Sequence, residues 1–384
     1  MASLFADASD CQLADFSALC QQQVNPGDYP LCERVQHNVV VFAGERLLAA
    51  AQGDRRAVLG ELHRVLSSGP GVLVIEGGYS DTAVVDRHSQ VFEQILERER
   101  LSNSGGDHFA AAGSNGRIWN ALQKAALLSP DSFIEYYANP LLALASEAWL
   151  GPAYQVTAQV NVVRPGGKAQ APHRDYHLGF QVAEEVARFP LPLHQLSQYL
   201  TLQGAVAHTD MPLESGPTQL LPFSHQYPLG YLAWRLPAFA EYFQRHLVQL
   251  PLRKGDLLFF NPALFHAAGN NRTEAFHRMA NLLQVSSAFG KPMESIDRPA
   301  MARAVYPALL RRFQGGELSP AQCDAVIGAV GDGYAFPTNL DTDPPLKDLA
   351  PPSEQAVLHQ ALAEGWAANT LGGALAARAK ARQP

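Results

Sequence analysis

Cysteine is scarce in this chain. Only Cys11, Cys20, Cys32 and Cys323 occur among 384 residues, and no two form a C-x-x-C pair. That spacing excludes a zinc ribbon or a thioredoxin-type redox motif. Reduced, structural thiols in a cytoplasmic protein are expected, with a thiol pair among the first three as the alternative. Long apolar runs are missing as well. No stretch reaches the roughly 18 apolar residues of a membrane span, and even 141–150 is broken by Ser146 and Glu147. The opening segment MASLFADASDCQLADF has no basic region followed by an apolar core, so it does not read as a secretory signal. Basic blocks are absent too. The formal net charge is -7, and the short basic stretch 378–382 reads as a solvated helix end. Neither nucleic acid nor membrane is expected as a partner.

What is present suits a globular enzyme or binding protein. Hydrophobic residues make up 47% and charged residues 17%, enough apolar material for a sizeable core. Apolar positions at helical spacing run through 46–67, and 117–149 reads as two helices split at Ser129-Pro130-Asp131. A single apolar strand is expected at 71–76. The texture changes at Tyr154. The β-branched run 155–164 (QVTAQVNVVR) ends in Pro165-Gly166-Gly167, which reads as a strand followed by a turn. Further short strands are expected at 199–208, 218–222, 247–252, 256–261 and 278–288, with a helix at 238–246 and helices again after Gly290. Many short strands argue for a sandwich or barrel over a doubly wound sheet. The expected organisation is a helical flank (1–67), a β core with supporting helices (68–288) and a helical extension (289–384), all in one domain.

The chemistry concentrates at Gln170-Ala171-Pro172-His173-Arg174-Asp175. Residues i and i+2 of a strand share a face, so His173 and Asp175 can reach one metal ion. The second imidazole is sought elsewhere, and His266, after the apolar run 255–265, is the candidate. Two neutral imidazoles and a carboxylate make a facial triad suited to Fe(II), leaving three positions open for a bidentate keto-acid and dioxygen. H-x-D alone arises by chance; its pairing with His266 in one β region carries the reading. A zinc-protease reading would use His173 and His177, four apart, but H-E-x-x-H needs a glutamate where Arg174 stands. The far carboxylate of a keto-acid calls for arginine, whose planar fork binds carboxylate bidentately. Arg278 is preferred, carried beside the metal strand by an antiparallel fold-back at 269–273, with Arg272 in that turn as the fallback.

These residues resemble the phytanoyl-CoA dioxygenase family of iron and 2-oxoglutarate oxygenases. Segment 159–175 (QVNVVRPGGKAQAPHRD) is similar to its strand, turn and H-x-D. Segment 214–225 (ESGPTQLLPFSH) is similar to its acidic-N-G-x-T…P-G-S-H, and 255–278 (GDLLFFNPALFHAAGNNRTEAFHR) to its G-D…H…G-x-N…R. The resemblance spans roughly residues 68–288. It implies a double-stranded β-helix (jelly roll), iron on His173, Asp175 and His266, and the far carboxylate of 2-oxoglutarate on Arg278. It also implies that Thr218 assists that arginine and that Gln170 and Asn161 contact the cosubstrate. Two departures stand out. Phe223 replaces the glycine of P-G-S-H, and the gap from His266 to Arg278 is about one residue longer than expected, which keeps Arg272 open. Asp175 argues for hydroxylation or a related oxidation over halogenation, because related halogenases have a small residue there. The implied reaction uses Fe(II), 2-oxoglutarate and O2 to oxidise a small-molecule substrate. Arg164, Arg174, Tyr176 and His177 are candidate substrate contacts. The rival readings are a non-catalytic metal- or small-molecule-binding barrel and a zinc hydrolase. Oligomeric state is left open.

Overall fold

The computed structural model describes residues 4–102, 115–168, 170–346 and 349–383. Residues 1–3 of the opening segment and Ala169 of the 159–175 motif therefore lie outside the described residues. Ten strands form: β1 (Arg34–Gln36), β2 (Val39–Ala43), β3 (Val72–Glu76), β4 (Asn115–Ile118), β5 (Gln155–Val163), β6 (Thr201–Ala207), β7 (Gln219–Leu221), β8 (Leu257–Phe260), β9 (Phe265–Ala267) and β10 (Arg278–Ser286). Eight build one sheet in the order β1-β2-β3-β8-β6-β10-β5-β4. Every pairing is antiparallel except β2 with β3. The second sheet pairs β7 with β9 and is widened by single bridges from His173 to His266 and from Leu220 to Val248. Two facing sheets, one broad and helix-backed and one narrow, make the jelly-roll core.

The strands of the broad sheet are apolar on both faces because both faces are covered. Val40, Phe42, Leu73, Ile75, Leu257 and Phe259 point into the larger core. Their neighbours Val39, Val41, Val72, Val74, Leu258 and Phe260 point into the space between the sheets. The period-2 alternation of the pleat thus divides one apolar run between two cores. Helices Gly44–Ser67, Thr82–Leu101, Pro140–Leu150 and Arg298–Gln314 bring their buried faces to the larger core. Chain segments from both ends of the sequence therefore back the sheet.

Several local expectations change. The N-terminal third holds β1, β2 and β4 besides the strand expected at 71–76. β1 and β2 form a hairpin across His37-Asn38, both at positive φ (51° and 64°), the geometry a two-residue turn needs to match strand twist. Residues 117–149 hold three helices, Ala121–Leu128, Pro130–Tyr137 and Pro140–Leu150. Asn139 caps the third by accepting from Leu141 N, and Pro140 sits at its first position, where no amide proton is needed. The stretch 247–252 makes single bridges at Val248 and Leu252 instead of a strand. The link from β9 to β10 is no hairpin: β9 lies in the narrow sheet and β10 between β5 and β6 in the broad one. The chain crosses from sheet to sheet, anchored by Asn271, whose side chain donates to Val163 O and Phe276 O.

Candidate active site

His173, Asp175 and His266 converge in the narrow sheet, with one ligand atom of each within 4.8 Å of the others. Backbone pairing holds them there. His173 N donates to His266 O (3.0 Å) and His266 N to His173 O (3.2 Å), while Asp175 N donates to Pro262 O. The H-x-D triplet therefore lies along β9 as a single bridge, not as the regular strand expected from sequence. Each imidazole has a carbonyl at its Nδ1, Ala171 O for His173 and Leu264 O for His266, both at 2.9 Å. A carbonyl only accepts, so Nδ1 carries a proton, and in the neutral imidazole Nε2 is the nitrogen left with its lone pair. Those two Nε2 atoms sit 3.5 Å from Asp175 Oδ1 and Oδ2 respectively. Burial holds His173 below the ordinary imidazole range, with a smaller opposing effect from Asp175. For Asp175 burial works upward, but the imidazoles and the Gln203 amide outweigh it and hold the carboxyl below its usual range. Two imidazole nitrogens and a carboxylate on one side of a pocket are a donor set that fits divalent iron.

The donors open into a cavity of about 530 Å³ between the two sheets, a usual size for a small-molecule site. Arg278 reaches it from the broad sheet. Its guanidinium is buried, donates to Ser215 O (3.2 Å) and has burial pulling it down to about 10, so it stays cationic at neutral pH. Thr218, Gln170 and Asn161 line the same cavity, and the Oδ1 of Asn161 is buried without a protein partner. Arg272 is exposed and does not line the cavity, which favours Arg278 on geometric grounds.

The proposed substrate contacts fare differently. Arg164 is exposed and away from the cavity wall. Arg174 borders the cavity, but its guanidinium donates to Ser224 O and Tyr227 O and lies against the Tyr231 and Phe265 rings. It ties the 224–231 segment beneath the site. Tyr176 is buried with its hydroxyl on Ser286 Oγ (2.6 Å). His177 packs edge-on against Tyr176 and belongs to neither the donor set nor the cavity wall. Both adopt positive φ (68° and 42°), which turns the chain away after Asp175 and removes the helix a zinc-protease pair would need. Sequence reasoning also missed lining residues. Gln159, Gln203, Gln284 and Trp234 face the cavity; polar glutamines inside otherwise apolar strands were the available signal.

Motif residues outside the donor set hold the frame. Ser224 Oγ accepts from Phe265 N (2.8 Å), fastening the loop after β7 to β9. Asp256 accepts from Gly77 N and Arg253 N. Residues 68–280 match the phytanoyl-CoA dioxygenase family. The chain belongs to that family. A curated relative, the dioxygenase cdmD of Talaromyces verruculosus, is 29% identical over 145 residues, 38% of this chain and 43% of that protein. The chain therefore spans less than half the length of that relative. Among solved structures, the 2-oxoglutarate-dependent epimerase SnoN of nogalamycin biosynthesis aligns at TM-score 0.41 and 19% identity, covering 61% of this chain and 84% of its own. HygX of Streptomyces hygroscopicus, solved with nickel and 2-oxoglutarate, aligns at TM-score 0.40 and 15% identity, covering 62% and 90%. No described helix is long and apolar enough to cross a membrane.

Proposed function

We propose that this member of the phytanoyl-CoA dioxygenase family is an Fe(II)- and 2-oxoglutarate-dependent dioxygenase that hydroxylates an unactivated C–H of a small molecule. The supporting observation is the meeting of the His173, Asp175 and His266 donors with a buried, carboxylate-free Arg278 in one cavity. In this reading the three donors hold iron, and Arg278 with Thr218 holds the far carboxylate of 2-oxoglutarate. Gln170 and Asn161 contact the cosubstrate from the cavity wall. When bound, iron and keto-acid supply dioxygen activation; the balanced outcome is one C–H converted to C–OH while O2 and 2-oxoglutarate become succinate and CO2. The chain's own task is to fix ligand tautomers through the Ala171 and Leu264 carbonyls, to keep Arg278 charged, and to enclose the substrate. In this reading the described residues of 1–67, which add β1 and β2 to the broad sheet, and the described residues of 289–384 support the core as parts of one domain.

The test is stoichiometry. Iron-loaded protein should release succinate from 2-oxoglutarate with matching O2 consumption, and Asp175→Ala should reduce this to background. A folded, iron-loaded protein that releases none would favour the non-catalytic binding reading. His177, standing outside the donor set, gives the zinc-hydrolase reading no support.

A further inference from the structure

The substrate side of the cavity is floored by glutamines that the chemistry above leaves unused. Gln203 on β6 pairs directly across from Gln284 on β10, and Gln159 on β5 faces Leu282 one pair along that same face. All three line the cavity and are between 2% and 6% exposed. The amide of Gln203 has a fixed orientation. Its Nε2 donates to Asp175 Oδ2, and an ionised carboxylate only accepts, so its Oε1 faces away from Asp175. That oxygen is buried without a protein donor, and so is the Oε1 of Gln284. Covering such an acceptor with alkyl surface removes its solvation and returns no hydrogen bond.

Charge on the wall is already committed. Arg278 answers the cosubstrate, Arg174 is turned beneath the site, and Arg117 lies over the Trp119 ring and close to the Glu294 carboxyl. Among the described lining residues no cation cluster remains for a phosphate or a second carboxylate. Phe180 and Trp234 also line the cavity; the Arg235 guanidinium covers one face of the Trp234 ring, and the Trp234 indole N–H is buried with no acceptor among the described residues.

Building on the oxygenase reading, we propose that the substrate is a neutral molecule bearing hydroxyl or N–H donors, placed by the carboxamide oxygens of Gln203 and Gln284 and bordered by Trp234 and Phe180. The alkyl chain of a fatty acyl thioester has no donor to offer these oxygens. Gln203 then links two tasks: one end of its amide steadies a metal-binding carboxylate while the other reads the substrate donor.

The test uses matched probes on the Fe(II)- and 2-oxoglutarate-loaded protein without oxygen: cis-1,2-cyclohexanediol, its dimethyl ether, and decanoyl-CoA. Formation of the visible chelate band in the native protein first establishes the underlying reading; its absence would count against that reading, separately from the substrate class. With the band present, ligand-observed NMR should show the diol binding about tenfold more tightly than the ether, a difference of ~1.4 kcal/mol. The preference should disappear in Gln203→Leu and in Gln284→Leu, the second of which does not touch Asp175. Equal binding of diol and ether, no binding of the diol, preference for decanoyl-CoA, or a preference that survives both substitutions would overturn the proposal.

Discussion

At the scale of single residues, the site separates groups that act from groups that hold. Arg278 is buried, cationic and, among the described residues, unmatched by any carboxylate. Replacing it with leucine should weaken 2-oxoglutarate binding by roughly 10- to 100-fold, the ~1.5–3 kcal/mol of a charge-assisted hydrogen bond. Iron affinity should be nearly unchanged, and Arg272→Ala should leave both alone; calorimetric titration of 2-oxoglutarate checks all three. These residues were legible because a facial triad and a lone partnering arginine are unusual combinations with one purpose. Of the residues next to the ligands in sequence, Arg174 borders the cavity with its guanidinium tied to Ser224 O and Tyr227 O, whereas Tyr176 and His177 do not line it, because proximity in sequence to a ligand says nothing about direction and the chain turns through positive φ at both. Phe223 shows the opposite lesson. It stands where the family's motif has glycine and still adopts the left-handed conformation (φ 67°, ψ -10°), a position that costs a bulky residue on the order of 1–2 kcal/mol. Its burial at 4% exposure offsets that strain.

At the scale of elements, the site depends on segments that join the two sheets. Gly216 sits at φ 72°, and a Cβ there would lie 2.2 Å from Asn270 O, a backbone atom that cannot step aside. Gly216→Ala should destabilise the fold by roughly 1–3 kcal/mol. Because Ser215 O receives Arg278 and Thr218 follows three residues after Ser215, the same change should loosen 2-oxoglutarate. A thermal melt together with the cosubstrate titration tests both effects, and an unaltered melt would contradict the backbone argument. The strand pattern was readable from β-branched runs bounded by glycine and proline. The sheet assignment of β9 and β10 was not, because the turn-like Gly269-Asn270-Asn271 reads the same whether the chain folds back or crosses over. Asn271 decides between them through its bonds to Val163 and Phe276, contacts invisible in one dimension. The hairpin at His37-Asn38 was missed because neither residue is the usual glycine.

At the scale of the whole molecule, the face of the broad sheet opposite the cavity carries a buried polar network. His208 meets Ser89 Oγ and Tyr136 OH at 2.7 Å each, and Asn281 donates to Tyr136 OH. His88 stacks on Tyr136. Burial pulls His208 from 6.5 down to about 3, with Asp86 opposing weakly, and depresses His88 as well. The unfolded chain therefore takes up protons first as pH falls. The stability contributed by the neutral imidazole is complete above about 6.5 and is lost progressively between there and about 3, on the order of a few kcal/mol. Melting temperature should decline across that window, and His208→Asn should flatten the decline; an identical pH dependence in the variant would contradict the assignment.

The central claim is that His173, Asp175, His266 and Arg278 form one iron and 2-oxoglutarate site. Its most direct measurement is anaerobic addition of Fe(II) and then 2-oxoglutarate to metal-free protein, monitored by visible absorption. The account predicts a weak charge-transfer band in the native protein that vanishes in Asp175→Ala and in His266→Ala. Folded, iron-loaded native protein without the band, or a band undiminished in both variants, would contradict it.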